Sequence, residues 1–236
     1  MANLANLSNQ AHEELFVVFL GRKTLQKLYL MLHLGRMLQC AHDVRLDTVN
    51  PSVDDQVIYD YCGLEIHEYP DSDALQSELD IGNQTMDAKP LIHLVDLSES
   101  AALPVNGHCF LVTDSDRNSL EDAVAAVQAI GSAVSSGFRI HRIYLDIFEG
   151  ARVGIRYLEE MISRKLPHHV EPGELLALYV DERNGAAIID NQHDDRLRLS
   201  GLTTEYRRVL ADVAKIGFRL PVKESLRFIR LADRRK

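Results

Sequence analysis

The sequence predicts an α/β fold: a mostly parallel central sheet with helices on both faces. Three observations carry that expectation. Phe16-Val17-Val18-Phe19-Leu20 is an unbroken apolar run, the pattern of a strand buried on both faces. It passes through Gly21-Arg22-Lys23-Thr24 into a long segment of apolar residues at helical spacing, which reads as strand, tight turn and helix start. Strand-like and helix-like segments then alternate through residue 216 with short connections, as a parallel sheet requires.

In order, Leu25, Leu28, Met31, Leu32, Leu34 and Leu38 place a helix over Thr24–Gln39. Val44 and Leu46 alternate with polar residues toward Asp47 and a turn at Asn50-Pro51. Val53–Tyr61 is read as a short helix, Leu64–Tyr69 as a strand, and Ser72–Leu79 as a helix capped by Asp71 or Ser72. Leu91–Leu97 and Cys109–Thr113 are strands. Ser119 is expected to cap a helix from Leu120 to about Ser135, with Leu120, Val124, Val127, Ile130 and Val134 on one face and Ser136-Gly137 ending it. Ile140–Phe148 is a strand. Val153–Leu166 is a helix with Ile155, Leu158, Met161 and Ile162 inward. Leu175–Val180 is a strand, Asn184–Leu199 a hairpin or loop, and Thr203–Ile216 a helix. No linker or composition shift divides the chain, so residues 14–218 are expected to form one domain, between a polar arm at 1–13 and a basic segment at 219–236.

Composition narrows the function classes. The 46% hydrophobic content supplies a substantial core. A net charge of −9 argues against a nucleic-acid partner. The longest apolar runs fall far short of the ~20 residues that span a bilayer. Cys40, Cys62 and Cys109 are widely spaced and form no close ligand pair. With no signal peptide recognised, they are expected as buried thiols of a cytoplasmic protein. His93, His108, His168 and His169 match no zinc spacing, and no Gly-x-Ser-x-Gly elbow is present, so neither a metal site nor a hydrolase nucleophile is expected.

Four features carry chemistry. Gly21, Lys23 and Thr24 stand where a phosphate loop would follow its strand; the other reading is a plain strand-to-helix turn. Asp47 ends a strand, where ligands of open α/β sheets bind, and either orients a water or metal or caps the turn. Asp96 ends the Leu91–Leu97 strand, the place of a Mg²⁺-binding Walker-B aspartate or of a turn cap. Lys223, Arg227, Arg230, Arg234 and Arg235, interleaved with Leu226, Phe228, Ile229 and Leu231, allow a basic amphipathic helix. Such a helix suits an acidic partner, a membrane surface or a nucleic acid; otherwise it is a docked terminal helix with a charged outer face.

The order of these segments resembles the ParA/MinD family of deviant Walker-A ATPases, a P-loop fold. Phe16–Thr24 is similar to its first strand and phosphate loop, and Val44–Pro51 to its second strand ending in Asp-x-Asp-Pro. Leu91–Ser98 resembles its strand ending in Asp-x-Pro-Pro, and Phe110–Thr113 with Ser119-Leu120 its Leu-Val-Thr and Ser-Leu unit. Ile143–Phe148 with Gly150 lies where the family carries a strand ending in a base-reading asparagine. The departures are as marked. The family loop reads Lys-Gly-Gly-x-Gly-Lys-Thr, and this chain lacks its first lysine and its glycines. Thr48 replaces the second aspartate of strand two, the prolines after Asp96 are missing, and Asp146 or Phe148 stands for the asparagine.

With those departures the resemblance implies a pseudo-ATPase: no catalytic residues, no cofactor, and Gly21, Lys23, Thr24, Asp47 and Asp96 as a degenerate nucleotide site. The implied role is an interaction or regulatory subunit, a homodimer or a heterodimer with an active relative. It would recruit or position a bacterial cell-envelope complex for secretion, pili or polysaccharide synthesis, in the cytoplasm or peripherally at the inner membrane. The alternatives are an active, divergent ATPase using ATP and Mg²⁺, and a membrane- or DNA-binding regulator acting through the basic C-terminus.

Overall fold

The structure, a computed structural model, describes residues 15–82, 91–97, 108–134 and 137–234. The expected arm at 1–13, Ser136 and Arg235 lie outside them. In chain order the elements are β1 (Leu15–Leu20), α1 (Leu25–Leu38), β2 (Asp43–Val49), β3 (Val57–Tyr61), β4 (Leu64–Tyr69), α2 (Ser72–Gly82), β5 (Leu91–Leu97), β6 (His108–Thr113), α3 (Arg117–Ala133), β7 (Arg139–Ile147), α4 (Ile155–Ser163), β8 (Glu171–Tyr179), α5 (Glu182–Asp194), α6 (Thr204–Phe218) and α7 (Val222–Ala232).

The strands form one eight-stranded sheet in the order β3-β4-β2-β5-β1-β6-β7-β8, parallel except for the β3–β4 hairpin. The apolar run of β1 lies near the centre, between β5 and β6. Its side chains alternate between two cores, as strand geometry dictates. Val17 and Phe19 join Leu30, Leu34, Leu94, Phe110, Leu210 and Phe228 on the α1, α6 and α7 side. Phe16, Val18 and Leu20 join Leu79, Leu111, Val127 and Leu158 on the α2, α3 and α4 side. Two covered faces explain why β1 reads as continuously apolar instead of alternating.

Several expectations need correction. Val57–Tyr61 is a strand, not part of a helix. Its β-branched and aromatic residues suit a sheet. The Cys62-Gly63 turn, with φ of 55° and 82°, folds it back on β4, and the Gly63 N–H donates to Asp60 Oδ1 at 2.9 Å. Residues 182–194 are a helix, not a hairpin or loop. Asn184, Ala187, Ile188 and Asn191 form its buried stripe, and the two asparagines hid that period. The helix after β6 is capped by Asp116, whose carboxylate accepts the Asn118 and Ser119 N–H groups; Ser119 lies buried in the first turn. β8 starts at Glu171 and includes Pro172, which an edge strand tolerates because the missing N–H costs no ladder bond. Leu25 is exposed rather than core, and of the three free cysteines only Cys109 is fully buried.

One buried polar cluster ties α1 to α5 and α6. Asn191 Nδ2 donates to His33 Nε2 at 3.0 Å, so His33 carries its proton on Nδ1 and donates to the Tyr206 hydroxyl at 3.2 Å. Burial pushes the His33 pKa down to about 3, and burial with His108, Arg139 and Arg142 nearby pushes His141 down to about 4. Below the ordinary histidine pKa of ~6.5 the unfolded chain takes up protons that the folded chain refuses, so stability falls as pH falls. His33, fully buried, contributes up to about 1.4 kcal/mol per pH unit in that window, and His141, more open to solvent screening, contributes less. The urea midpoint is therefore expected to drop between pH 6.5 and 5, and a His33→Gln variant to show a shallower slope. An identical, flat profile for both proteins would contradict this.

Candidate functional site

The site is the turn between β1 and α1. Only Gly21, Arg22, Lys23 and Thr24 separate the strand from the helix. A phosphate loop of the GxxxxGK[ST] type needs about eight residues to turn several N–H groups inward. Gly21 has a φ of 113° and its N–H donates to Leu97 O at 3.1 Å. A Cβ there would stand 2.1 Å from the Val112 carbonyl oxygen, so the turn is pressed against β6. Thr24 is the N-cap of α1, and its hydroxyl accepts the Lys27 N–H at 3.2 Å. Arg22 points to Asp116 across 3.8 Å, both exposed.

The group at the centre of the turn is Lys27, which sequence reading had not singled out. Its side chain is 1% exposed, and its ammonium lies 2.6 Å from Asp96 Oδ1. It also donates to Gly21 O at 2.7 Å and Leu97 O at 3.2 Å. Those three acceptors match the three N–H bonds of an ammonium. Burial lowers the Lys27 pKa and the Asp96 carboxylate opposes that shift. The signal was present: Lys27, Leu30, Met31 and Leu34 share one helical face, so a lysine stands in an apolar stripe.

Lys23 takes another path. It donates to Thr48 Oγ1 at 2.9 Å and to Val49 O. The Thr48 hydroxyl in turn donates to Asp96 Oδ2 at 3.4 Å. A continuous polar chain thus runs Lys23, Thr48, Asp96, Lys27, Gly21 across the carboxyl ends of β2, β5 and β1. Asp96 Oδ1 is ion-paired with Lys27, Oδ2 accepts from Thr48, and the Lys27 ammonium donates to two backbone carbonyls. As arranged, these residues form a buried ion pair linked to backbone carbonyls and to Thr48.

Asp47 belongs to a different cluster. It neighbours Thr48 on one strand, so its side chain leaves the other face of the sheet. It is fully buried, with Arg45 Nε 2.8 Å and the Tyr69 hydroxyl 3.2 Å from Oδ1, and His93 Nδ1 2.9 Å from Oδ2. Phe16 stacks on His93 with ring centroids 4.7 Å apart, and Arg45 reaches Glu78 at 3.6 Å. Burial, with Asp47 beside it, raises the Tyr69 pKa. The structure therefore brings Gly21, Lys23, Thr24 and Asp96 together and leaves Asp47 out.

The basic residues of the C-terminus lie apart from this turn. Ser225, Phe228, Ile229 and Ala232 form the buried side of α7, and Lys223, Arg227 and Arg230 stand exposed at i, i+4 and i+7. Arg234, beyond the helix end, is also exposed. Cys40 Sγ donates to Phe228 O and Arg36 Nη2 to Ala232 O, which docks α7 at the C-terminal end of α1, about 20 Å from Thr24 at 1.5 Å per residue. Where an asparagine was expected, Asp146 has a φ of 50°. Its carboxyl pKa is raised by burial and by Asp114. Among the described residues no group of three or more His, Cys, Asp or Glu side chains stands close enough to hold a metal ion, and no helix is long and apolar enough to cross a membrane.

No family model and no curated protein matches the chain. Solved structures do. A ParA family ATPase from Chlorobium tepidum TLS superposes with a TM-score of 0.57 at 10% identity, covering 86% of this chain and 98% of that one. MinD from Aquifex aeolicus matches with a TM-score of 0.49 at 13% identity, over 93% and 97% of the two chains. The Aquifex aeolicus MinC:MinD cell division complex matches with a TM-score of 0.48 at 13% identity, over 79% and 88%. The chain has the fold of ParA-type ATPases.

Proposed function

We propose that this chain is a ParA/MinD-like protein without nucleotide chemistry, an interaction or regulatory subunit that acts by binding other proteins. One observation carries the reading: the buried Lys27 ammonium, held by Asp96, Gly21 O and Leu97 O, stands in the turn where the fold would place a phosphate. The four-residue length of that turn supports it as well. In the fuller form of the proposal the protein is cytoplasmic or peripheral at the inner membrane. It pairs with itself or with an active relative and positions a bacterial cell-envelope complex. The exposed face of α7 formed by Lys223, Arg227 and Arg230 offers it a basic contact for an acidic partner.

Thermal melting tests the reading. A ligand present at 100 times its Kd adds about 2.7 kcal/mol to the folded state. At roughly 2–4 °C per kcal/mol for a chain of this size, that is a rise of several degrees. The melting temperature is expected to stay unchanged with Mg·ATP or Mg·GTP at about 1 mM. A rise of several degrees with either nucleotide would overturn the proposal.

A further inference from the structure

A cleft of about 410 Å³ opens between the carboxyl ends of β7 and β8 and the N-terminal turns of α1 and α5. Leu25, Phe148, Tyr179, Val180 and Ile189 line it, and each is 44–58% exposed. Large apolar side chains gathered at one place on a surface mark an interaction site, in contrast to the same residues scattered singly. Its charged lining residues are Asp146, Asp181 and Glu182, with no lysine or arginine among them. Asp181 holds Arg183 at 3.2 Å. Asp146 and Glu182 take no ion-pair partner among the described residues. Asp146 is also a non-glycine residue in the left-handed region, a conformation that costs backbone energy and gathers at working sites.

We propose that this cleft docks a segment of a protein partner that inserts apolar side chains between Phe148 and Ile189 and sets a lysine or arginine over Asp146 and Glu182. The charge and the apolar floor together select that chemistry. A small anionic molecule fits less well, because every charged residue lining the cleft is acidic. A second copy fits less well too. Cleft against cleft would oppose carboxylates, and the basic face of α7 carries none of the large exposed apolar side chains, its apolar groups being Pro221 and the half-buried Leu226. The proposal rests on the reading of the chain as a binding module. Its test uses no nucleotide, so nucleotide binding would end that reading without deciding this one.

The probe is a fluorescent amphipathic helical peptide of leucine and lysine, titrated with the full chain and followed by anisotropy. A leucine–glutamate peptide with the same apolar face is the control. The lysine peptide is expected to bind, and Asp146→Asn/Glu182→Gln to weaken it roughly tenfold or more. Ile189→Ser, a change at an exposed position, is expected to weaken it similarly. Asp54→Asn/Asp55→Asn removes the same charge from an exposed loop and is expected to leave binding unchanged. Equal weakening by the remote pair, unchanged binding in both cleft variants, or equal affinity for the glutamate peptide would overturn the proposal. So would sedimentation showing an oligomer of this chain that Ile189→Ser dissociates, because a second copy would then occupy the cleft.

Discussion

Lys27→Met is expected to lower the unfolding free energy by about 3–5 kcal/mol, the cost of removing one partner from a buried ion pair. The substitution leaves Asp96 with a charge and no cation, and leaves Gly21 O and Leu97 O without their side-chain donor. Methionine is close to the lysine stem in size, so lost packing contributes little. The second half of the experiment separates the ion pair from the shape of the site. Lys27→Met/Asp96→Asn removes both charges and is expected to recover most of the loss, since a buried pair replaced by neutral groups is often near-neutral in stability. Urea unfolding of the two singles and the double measures this. Three equal, small effects would mean that the pair is not held as described.

Gly21→Ala is expected to be at least as damaging, on the order of 4 kcal/mol or more, or to prevent folding altogether. The new methyl would meet the Val112 carbonyl oxygen at 2.1 Å, and the φ of 113° is one that alanine adopts only with strain. The obstacle is backbone of the neighbouring strand, so no side-chain rotation relieves it. Gly150 is the useful comparison. It too has a positive φ, of 77°, but a Cβ there meets nothing within 4 Å. Gly150→Ala is expected to cost only its backbone strain, about 1–2 kcal/mol. Equal losses in the two variants would show that the clash at Gly21 is relieved by movement of the turn.

The fold was legible where one physical signal acted alone. β1, α1, β5 and β6 follow from apolar runs, helical spacing and cap residues, and Thr24 caps α1 at the residue where the pattern begins. Legibility ended where polar residues carry packing. Asn184 and Asn191 face inward and accept the N–H groups of Thr203 and Arg198, so the period of α5 could not be read as apolar. Lys27 was missed for the same reason: a buried lysine needs a buried acid, and that acid is 69 residues away on β5. Asp47 and Asp96 look alike in sequence, each near the end of its strand. Only the alternation of side chains about the sheet separates them, placing Asp47 with Arg45, Tyr69 and His93 and Asp96 with Lys27. Lys23, the lysine of the Lys-Thr pair that follows β1, is spent on Thr48 and Val49 instead.

Calorimetric titration of the purified chain with Mg·ATP is the most direct measurement of the central claim. The Lys27 ammonium stands in the turn at Asp96 Oδ1 and the Thr48 hydroxyl meets Oδ2, so the expected result is no heat of binding beyond dilution at nucleotide concentrations up to about 1 mM, a limit near −4.1 kcal/mol. A saturable isotherm in the micromolar range, lost on Lys23→Ala, would mean that Lys23 and the turn rearrange to hold phosphate, and would contradict the account.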